Sequence, residues 1–316
     1  MKAKTTIAGI LITAVLCLGS QSPSDDFPVL KGPYFGQQPP GLEPEVFAPG
    51  VISTEAGEGC SGFMSDGKLF LFARRGRGIL LTELTNGAWT RPEEAGFSLR
   101  GQDGDFIIAP DDQTVLFASG RPVEKGGSSL RDHNIWKTVR TSSGWKEPEL
   151  LASPVNTDAH ESYPSLSADG TLYFFSRREG GFGQSDIYLS EPVNGRYEEV
   201  VNLGNIINTE HHEVDPFIAP DESYLIFASD RPGGYGSDDF YICFKSSDAE
   251  WLPPMNMGDQ INSRHTEYIV NVTLDGKYLF FTSDKNGSRD VFWVDREVID
   301  ALKTKLLMQE RKRGKS

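Results

Sequence analysis

Residues 160–190 read HESYPSLSADGTLYFFSRREGGFGQSDIYLS, and residues 212–243 read HEVDPFIAPDESYLIFASDRPGGYGSDDFYIC. In both stretches an acidic turn, at Asp169 and at Asp221, separates two short apolar runs. A Gly-rich loop and a third apolar run follow. Turn residues between apolar runs predict β-hairpins, so each stretch predicts three consecutive antiparallel strands. The near repetition predicts a fold built from copies of one unit.

The acidic turn occurs five times along the chain. The five positions are Asp66, Asp111, Asp169, Asp221 and Asp275, at spacings of 45, 58, 52 and 54 residues. A further segment after the third apolar run, such as WKEPELLA from Trp145 onward, adds a fourth short strand to the repeat. Four-stranded units that recur about every fifty residues are typical of β-propeller blades.

The two ends of the repeat region indicate how the ring closes. The fifth copy stops after RDVFWVDR, whereas LEPEVFAPGVISTEAGEG (residues 42–59) aligns with KEPELLASPVNTDAHES (residues 146–162) of a complete repeat. We therefore predict that residues near Glu43 to Ile52 supply the missing strand, which leaves no open seam. The prediction is an all-β protein, a propeller of five four-stranded blades over residues 43–296. A six-bladed ring is the alternative, but it would need about fifty more residues.

The N-terminus has the pattern of a secretory signal peptide. Lys2 and Lys4 precede an uncharged stretch that ends near Gly19, so residues 1–20 are predicted to be cleaved and residues 21–42 to form a linker. This predicts an exported protein in the periplasm or cell envelope. An uncleaved membrane anchor, or a lipid on Cys17 as in a lipoprotein, is the alternative.

The C-terminal residues 297–316 change period. Four apolar residues fall at helical spacing before a basic tip: Val298, Ile299, Leu302 and Leu306. This spacing predicts a short helix packed against the propeller. The net charge of −14 argues against a nucleic-acid partner, because phosphate backbones recruit basic surfaces.

The repeats also resemble a known family. The pattern INT…HE…P…APD…YLIFASDRPGGYGSDDFY, from Ile207 onward, resembles the TolB-like, WD40-like propeller repeats of bacterial envelope proteins. The resemblance covers about residues 43–296. Repeat one departs from it, because RRGRGILLTEL (residues 74–84) lacks the Gly-Gly-x-Gly loop and the aspartate after it. Repeat two inserts VEKGGSSLRDH (residues 123–133). The family implies the fold but no single activity.

Each repeat carries one acid eight residues before the turn acid and one base nine or ten residues after it. The acids are Glu58, Asp103, Glu161, Glu213 and Glu267, and the bases are Arg75, Arg121, Arg178, Arg231 and Lys285. If the acidic turns lie at the bottom of the propeller, all ten residues lie at the top. One interpretation is a cross-strand ion pair in every blade, which contributes about 0.2–1 kcal/mol. The other is a ring of charge that binds a ligand.

The five histidines also map to the predicted top face. The first candidates for a divalent-metal site are His160, His212 and Glu213, and the further candidates are His211, His265 and Glu161. Imidazole and carboxylate groups on converging loops suit a transition metal. The other interpretation is that these histidines only cap turns. A divalent metal is the one cofactor that the sequence suggests.

The Gly-rich loops precede strands rather than helices, so they do not predict a phosphate-binding loop. Instead, Asp186, Asp239 and Asp290 are predicted to hydrogen-bond the loop backbone. No catalytic motif such as Gly-x-Ser-x-Gly occurs in the sequence. We therefore expect a binding or scaffold module that presents its polar top face to a protein or glycan of the cell envelope.

A metal-dependent polysaccharide lyase or hydrolase is the alternative function. Its support is only the clustered histidines; TolB-like propellers that resemble this chain include an oligogalacturonate lyase with a histidine-held metal. A metal assay would separate the two functions, since stoichiometric metal favours the enzyme.

Overall fold

The structure is a computed structural model, and it describes residues 27–124 and 126–313. The predicted signal peptide, Cys17 and the last residues of the basic tip lie outside them. Strand β1 (Glu45–Val46) comes first. Blade 1 contains β2 (Glu58–Phe63), β3 (Leu69–Arg74), β4 (Gly78–Thr85), β5 (Ala88–Trp89) and β6 (Glu93–Glu94). Blade 2 contains β7 (Asp103–Ile108), β8 (Thr114–Ser119), β9 (Asn134–Thr141), β10 (Gly144–Trp145) and β11 (Glu149–Leu150).

The remaining three blades follow in chain order. Blade 3 contains β12 (Glu161–Leu166), β13 (Leu172–Ser176), β14 (Asp186–Ser190), the hairpin β15 (Pro192–Val193) and β16 (Arg196–Tyr197), and β17 (Val201–Asn202). Blade 4 contains β18 (Glu213–Ile218), β19 (Tyr224–Ser229), β20 (Asp239–Phe244) and β21 (Met255–Asn256). Blade 5 contains β22 (Glu267–Val272), β23 (Tyr278–Ser283) and β24 (Asp290–Asp295), and helix α1 (Glu297–Arg313) ends the described chain.

The inner strands of the five blades form a closed ring around the propeller axis. Strands β2, β7, β12, β18 and β22 contact one another in that order, and β22 contacts β2 again. Each inner strand has a β-bulge near its third residue. A bulge re-aims the side chain it carries, and in four blades that residue has a left-handed backbone. These residues are Asp105, Tyr163, Asp215 and Ile269, with φ of 43°, 50°, 55° and 47°.

Strand β1 closes the ring as the outer strand of blade 5. It pairs antiparallel with β24, with Glu45 opposite Trp293 and Val46 opposite Phe292. The four strands of this blade therefore lie in the order β1-β24-β23-β22. The prediction of a five-bladed propeller completed by an N-terminal strand is confirmed, and the six-bladed alternative is wrong.

Five hydrophobic clusters of described residues fill the five junctions between neighbouring blades. The junction of blades 5 and 1 is the most aromatic, because Phe47, Phe70, Phe280 and Trp293 pack together there. Cys60 and Cys243 are buried free thiols in two other clusters. Burial of large apolar side chains at every junction accounts for much of the stability of such a ring.

The N-terminal and C-terminal segments both pack on the propeller. The segment predicted as a linker does not extend away, because the ring of Phe35 stacks on Trp89 with centroids 4.2 Å apart. Helix α1 is confirmed, and Val298 and Ile299 are buried in the cluster between blades 4 and 5. In the described part of the chain, no helix has both the length and the apolar character needed to cross a membrane.

Candidate functional site

The acid of each repeat is a buried anchor rather than part of an open charged ring. The carboxylate of Glu161 is fully buried and accepts hydrogen bonds from the backbone N–H of Thr157 (2.9 Å), its hydroxyl (2.7 Å) and the hydroxyl of Ser176 (2.8 Å). Four acids make the same bonds to a Thr or Ser four residues earlier, namely Glu58, Glu161, Glu213 and Glu267. The hydrogen bonds to the acid therefore hold the loop that precedes the first strand of its blade.

In three repeats the base contacts the acid as expected. The two residues are not directly opposite each other in the strand pairing, however. Glu161 lies directly opposite Ser176 because of the bulge, and the Arg178 guanidinium reaches back to it at 3.3 Å. Equivalent pairs join Arg121 to Asp103 and Arg231 to Glu213. The acid in each pair is buried, so the energy expected for an exposed pair does not apply.

Two of the predicted bases do not make the predicted pair. In repeat one Arg74, not Arg75, stands opposite Glu58 and donates to it at 2.8 Å, because Arg74 occupies the position that serine takes elsewhere. In repeat five the Lys285 ammonium lies 4.0 Å from the centroid of the Phe292 ring and forms no ion pair with Glu267 among the described residues. Arg75 is thereby left to line the top face.

The five histidines lie in four loops, because His211 and His212 are adjacent. The Nδ1 atom of His160 accepts the backbone N–H of His133 at 3.2 Å, and the two rings stack 5.0 Å apart. Burial, together with the neighbouring His133, lowers the pKa of His160 to about 4. The Nε2 atom of His212 lies 3.2 Å from Asp230 and 3.1 Å from Asp238.

The predicted metal ligands are not gathered into one group. His211 lies beside Asp230, and His265 lies beside Asp284 in the next blade. The carboxylate of Glu213 already accepts hydrogen bonds from Thr209 and Arg231. Within residues 27–124 and 126–313, no three or more His, Cys, Asp or Glu side chains are arranged to hold a metal ion.

The top-face loops between the second and third strands differ greatly in length. They span residues 177–185 in blade 3 and residues 230–238 in blade 4, but only 75–77 in blade 1 and 284–289 in blade 5. The short loops of blades 1 and 5 leave a recess of about 690 Å³, which blade 2 also lines and which we call the mouth cavity. It is lined by residues that include Gly57, Gly59, Arg75, Gly76, Gly104, Asp105, His133, Tyr268, Asp284 and Arg289.

The mouth cavity presents both cationic and anionic groups. The Arg289 guanidinium lies 3.8 Å from the centroid of the Tyr268 ring, and within the described residues it forms no ion pair. The Asp105 carboxylate accepts the hydroxyl of Ser162 at 2.8 Å. Burial raises the pKa of Asp105, although that hydrogen bond opposes the shift. The cavity can therefore both donate to and accept from a polar ligand.

Asp105 also belongs to a group at the third position of the inner strands, together with Cys60, Tyr163, Asp215 and Ile269. The Asp215 carboxylate is buried and accepts the backbone N–H of Ile269 at 2.9 Å. Burial raises the pKa of Asp215 well above its ordinary value, and the charge of Asp105 adds to the effect. Two carboxyl groups therefore lie near one another where the inner strands meet.

We expect Asp215→Asn to stabilise the protein near neutral pH. The folded-state pKa of Asp215 is raised, so the stability from its protonated form is present below about pH 4 and is lost as pH rises through the folded-state pKa. Asparagine carries no charge, and its amide oxygen can still accept the N–H of Ile269. The variant should melt a few degrees above wild type near pH 8, and the difference should shrink towards pH 4.

Thermal melts of both proteins across this pH range test the prediction. Asp248→Asn, at an exposed loop position, is the control and should follow wild type. An Asp215→Asn protein that melts below wild type at pH 8 would show that the carboxylate is stabilised by contacts other than those described above.

Comparisons with known proteins find structures but no sequence relatives. No family model and no curated protein sequence matches the chain. TolB from Acinetobacter baumannii superposes with a TM-score of 0.47 at 16% identity over 77% of this chain, which spans 55% of that protein. A gluconolactonase from Xanthomonas campestris superposes with a TM-score of 0.48 at 15% identity, over 77% of this chain and 73% of that one.

A glucose dehydrogenase superposes with a TM-score of 0.50 at 10% identity, over 79% of this chain and 98% of that one. The likeness is one of fold. At 10% identity the glucose dehydrogenase match supports the fold alone, and no comparison establishes membership of the TolB-like family. The activities of these similar structures are therefore not assigned to this chain.

Sequence reasoning missed the mouth cavity, although two signals pointed to it. The first was the departure of repeat one, whose missing Gly-rich loop is what opens the cavity. The second was the aspartate two residues after the acid in repeat two, at Asp105, which lines the cavity. Arg289 and Tyr268 carried no signal, because their meeting depends on the bulge and the short loop of blade 5.

Proposed function

We propose that the chain is an exported binding module that holds a saccharide in the mouth cavity. The observation that carries the proposal is the cavity itself, whose volume of about 690 Å³ is within the range of ligand sites. Its wall combines the guanidinium groups of Arg75 and Arg289 with the carboxylates of Asp105 and Asp284. A sugar hydroxyl both donates and accepts hydrogen bonds, so a ligand rich in hydroxyls can use both kinds of group.

Other ligand classes fit the mouth cavity less well. An apolar ligand would leave the charged lining without partners, which is unfavourable once water is excluded. A strongly anionic ligand would meet Asp105, Asp284 and the overall charge of −14. The glycines of the wall, such as Gly57 and Gly76, let a ligand approach the backbone closely. The signal-peptide pattern supports a location where envelope or environmental glycans are available.

Calorimetric titration with cellohexaose, xylohexaose, chitohexaose and mannohexaose tests this function. At least one should bind with a Kd below about 1 mM. Arg289→Ala and Asp105→Ala should each weaken that binding at least tenfold, because each leaves a buried sugar hydroxyl without its partner, a loss of about 1.4 kcal/mol or more. Both groups lie in the cavity wall.

Arg196→Ala is the matched control, because Arg196 is exposed on the hairpin of blade 3, outside the cavity. Its binding should equal that of wild type, and melting curves should show that all variants are folded. The proposal fails if none of the four hexasaccharides binds. It also fails if both cavity variants bind as well as wild type does.

A further inference from the structure

Three exposed apolar side chains occupy the same position in consecutive blades. Each lies in the top-face loop, four residues before the third strand begins, and we call them the tip row: Leu130, Phe182 and Tyr235. They are 38%, 51% and 51% exposed, respectively. Blade 5 has Asn286 at this position, and the turn of blade 1 is too short to have one. The tip row therefore begins on blade 2, which also lines the mouth cavity, and continues over blades 3 and 4, which do not line it.

The two aromatic tips are held rigidly by the same contacts. The Asp186 carboxylate accepts the backbone N–H groups of Phe182 (2.6 Å) and Gly183 (2.9 Å). Asp239 does the same for Tyr235 (2.6 Å) and its neighbouring glycine (3.0 Å). These bonds confirm the predicted role of the two aspartates. A rigid aromatic side chain loses little conformational entropy when a ligand covers it.

The loops are also pressed against the next blade. A Cβ atom added to Gly183 would lie 1.7 Å from the carbonyl oxygen of His211, and one added to Gly236 would lie 1.7 Å from that of His265. Only glycine fits at such distances. The sequence thus keeps two tight loops whose outermost side chains are aromatic rings facing water. Because the rings of Phe182 and Tyr235 are exposed, they contribute little to the hydrophobic core.

The surroundings favour a saccharide over a protein partner. Protein interfaces use contiguous apolar patches, whereas each tip stands alone among polar residues such as Glu179 and Asp230. An aromatic ring can stack on the face of a sugar residue, so rings on neighbouring blades can each contact one residue of a chain that crosses both blades. The row also continues from the mouth cavity, because the loop that carries Leu130 also carries His133 of the cavity wall.

We propose that the ligand is an extended polysaccharide, with one part in the mouth cavity and its chain lying across the tips of blades 2, 3 and 4. This inference rests on the proposed saccharide function and adds the length of the ligand. A long chain gains contacts with Phe182 and Tyr235, whereas a short one reaches only the cavity. Affinity should therefore rise with chain length.

The experiment compares the disaccharide and the hexasaccharide of whichever sugar binds best among the four tested above. The hexasaccharide should bind wild type at least tenfold more tightly. The double variant Phe182→Ala/Tyr235→Ala should lose that gain while its affinity for the disaccharide stays unchanged. Tyr235→Phe keeps the ring and should keep the gain. Arg289→Ala should weaken binding of both lengths.

The outcomes separate this inference from the proposed function. If both lengths bind equally, or if the double variant binds the hexasaccharide like wild type, the extended-chain proposal is wrong and the cavity function stands. A protein partner would then be the remaining occupant of the tips. If no saccharide of either length binds, both proposals are wrong.

Discussion

Replacing Phe47 with alanine is expected to destabilise the protein by about 3–5 kcal/mol. The ring of Phe47 is fully buried at the junction where the N-terminal segment closes the propeller. It lies 4.9 Å from the ring of Phe280 and 5.0 Å from that of Trp293 in blade 5, and 5.2 Å from that of Phe70 in blade 1. Its loss leaves a cavity that several aromatic rings line, so the midpoint of denaturant unfolding should fall sharply.

Phe182→Ala provides the matched control, because it removes the same side chain from a position that is 51% exposed. That variant should change the free energy of unfolding by less than about 0.5 kcal/mol. Similar unfolding midpoints for the two variants would mean that the N-terminal segment is not an integral part of the ring, and the closure described above would be wrong.

Glu161→Gln is expected to destabilise the protein by about 3–5 kcal/mol, far more than an exposed ion pair would account for. The carboxylate is fully buried and accepts hydrogen bonds from Thr157, Ser176 and Arg178. A glutamine amide places a donor among these donors and leaves the guanidinium without its counter-charge. Urea denaturation of both proteins measures the loss.

Glu179→Gln makes the same change at an exposed position of the neighbouring loop and should have little effect. The charge swap Glu161→Arg with Arg178→Glu should not restore stability, because an arginine cannot accept the N–H and O–H groups of Thr157. Full recovery in the swap would instead favour a simple ion pair, as the sequence suggested.

The sequence predicted the fold well because a propeller repeats its local signals. The turn at Asp169 and its four counterparts each set one hairpin, so the period was visible without knowledge of any long-range contact. The closing strand near Glu45 could be predicted because blade 5 was incomplete. Both inferences depend on the number of repeats and of strands in each blade. An error of one or two residues in a strand boundary does not change those numbers.

The charge pattern was a weaker guide, because burial is not visible in one sequence. The acid at Glu161 and its counterparts recur as a ligand-binding ring would, yet the bulges turn them into the protein, where they hold loops. A bulge shifts pairing by one residue, so the assignment of Arg75 as the partner of Glu58 was wrong by one position.

The candidate site escaped prediction because it lies where the repeat is broken. Arg289 and Tyr268 meet Asp105 across the junctions of three blades, and no spacing in the sequence encodes that meeting. Departures from the repeat are informative in such proteins, because a functional site can form where one repeat differs from the others.

Nitrogen-15 spectra of protein labelled only at glycine test the central claim, that a saccharide binds in the mouth cavity, most directly. Gly57, Gly59, Gly76 and Gly104 line the cavity, whereas Gly195 lies in the hairpin of blade 3. Titration with the four hexasaccharides should shift the cavity glycine resonances in a saturable manner for at least one sugar and leave Gly195 unchanged. Shifts confined to glycines outside the cavity, or no shifts with any of the four sugars, would contradict the assignment.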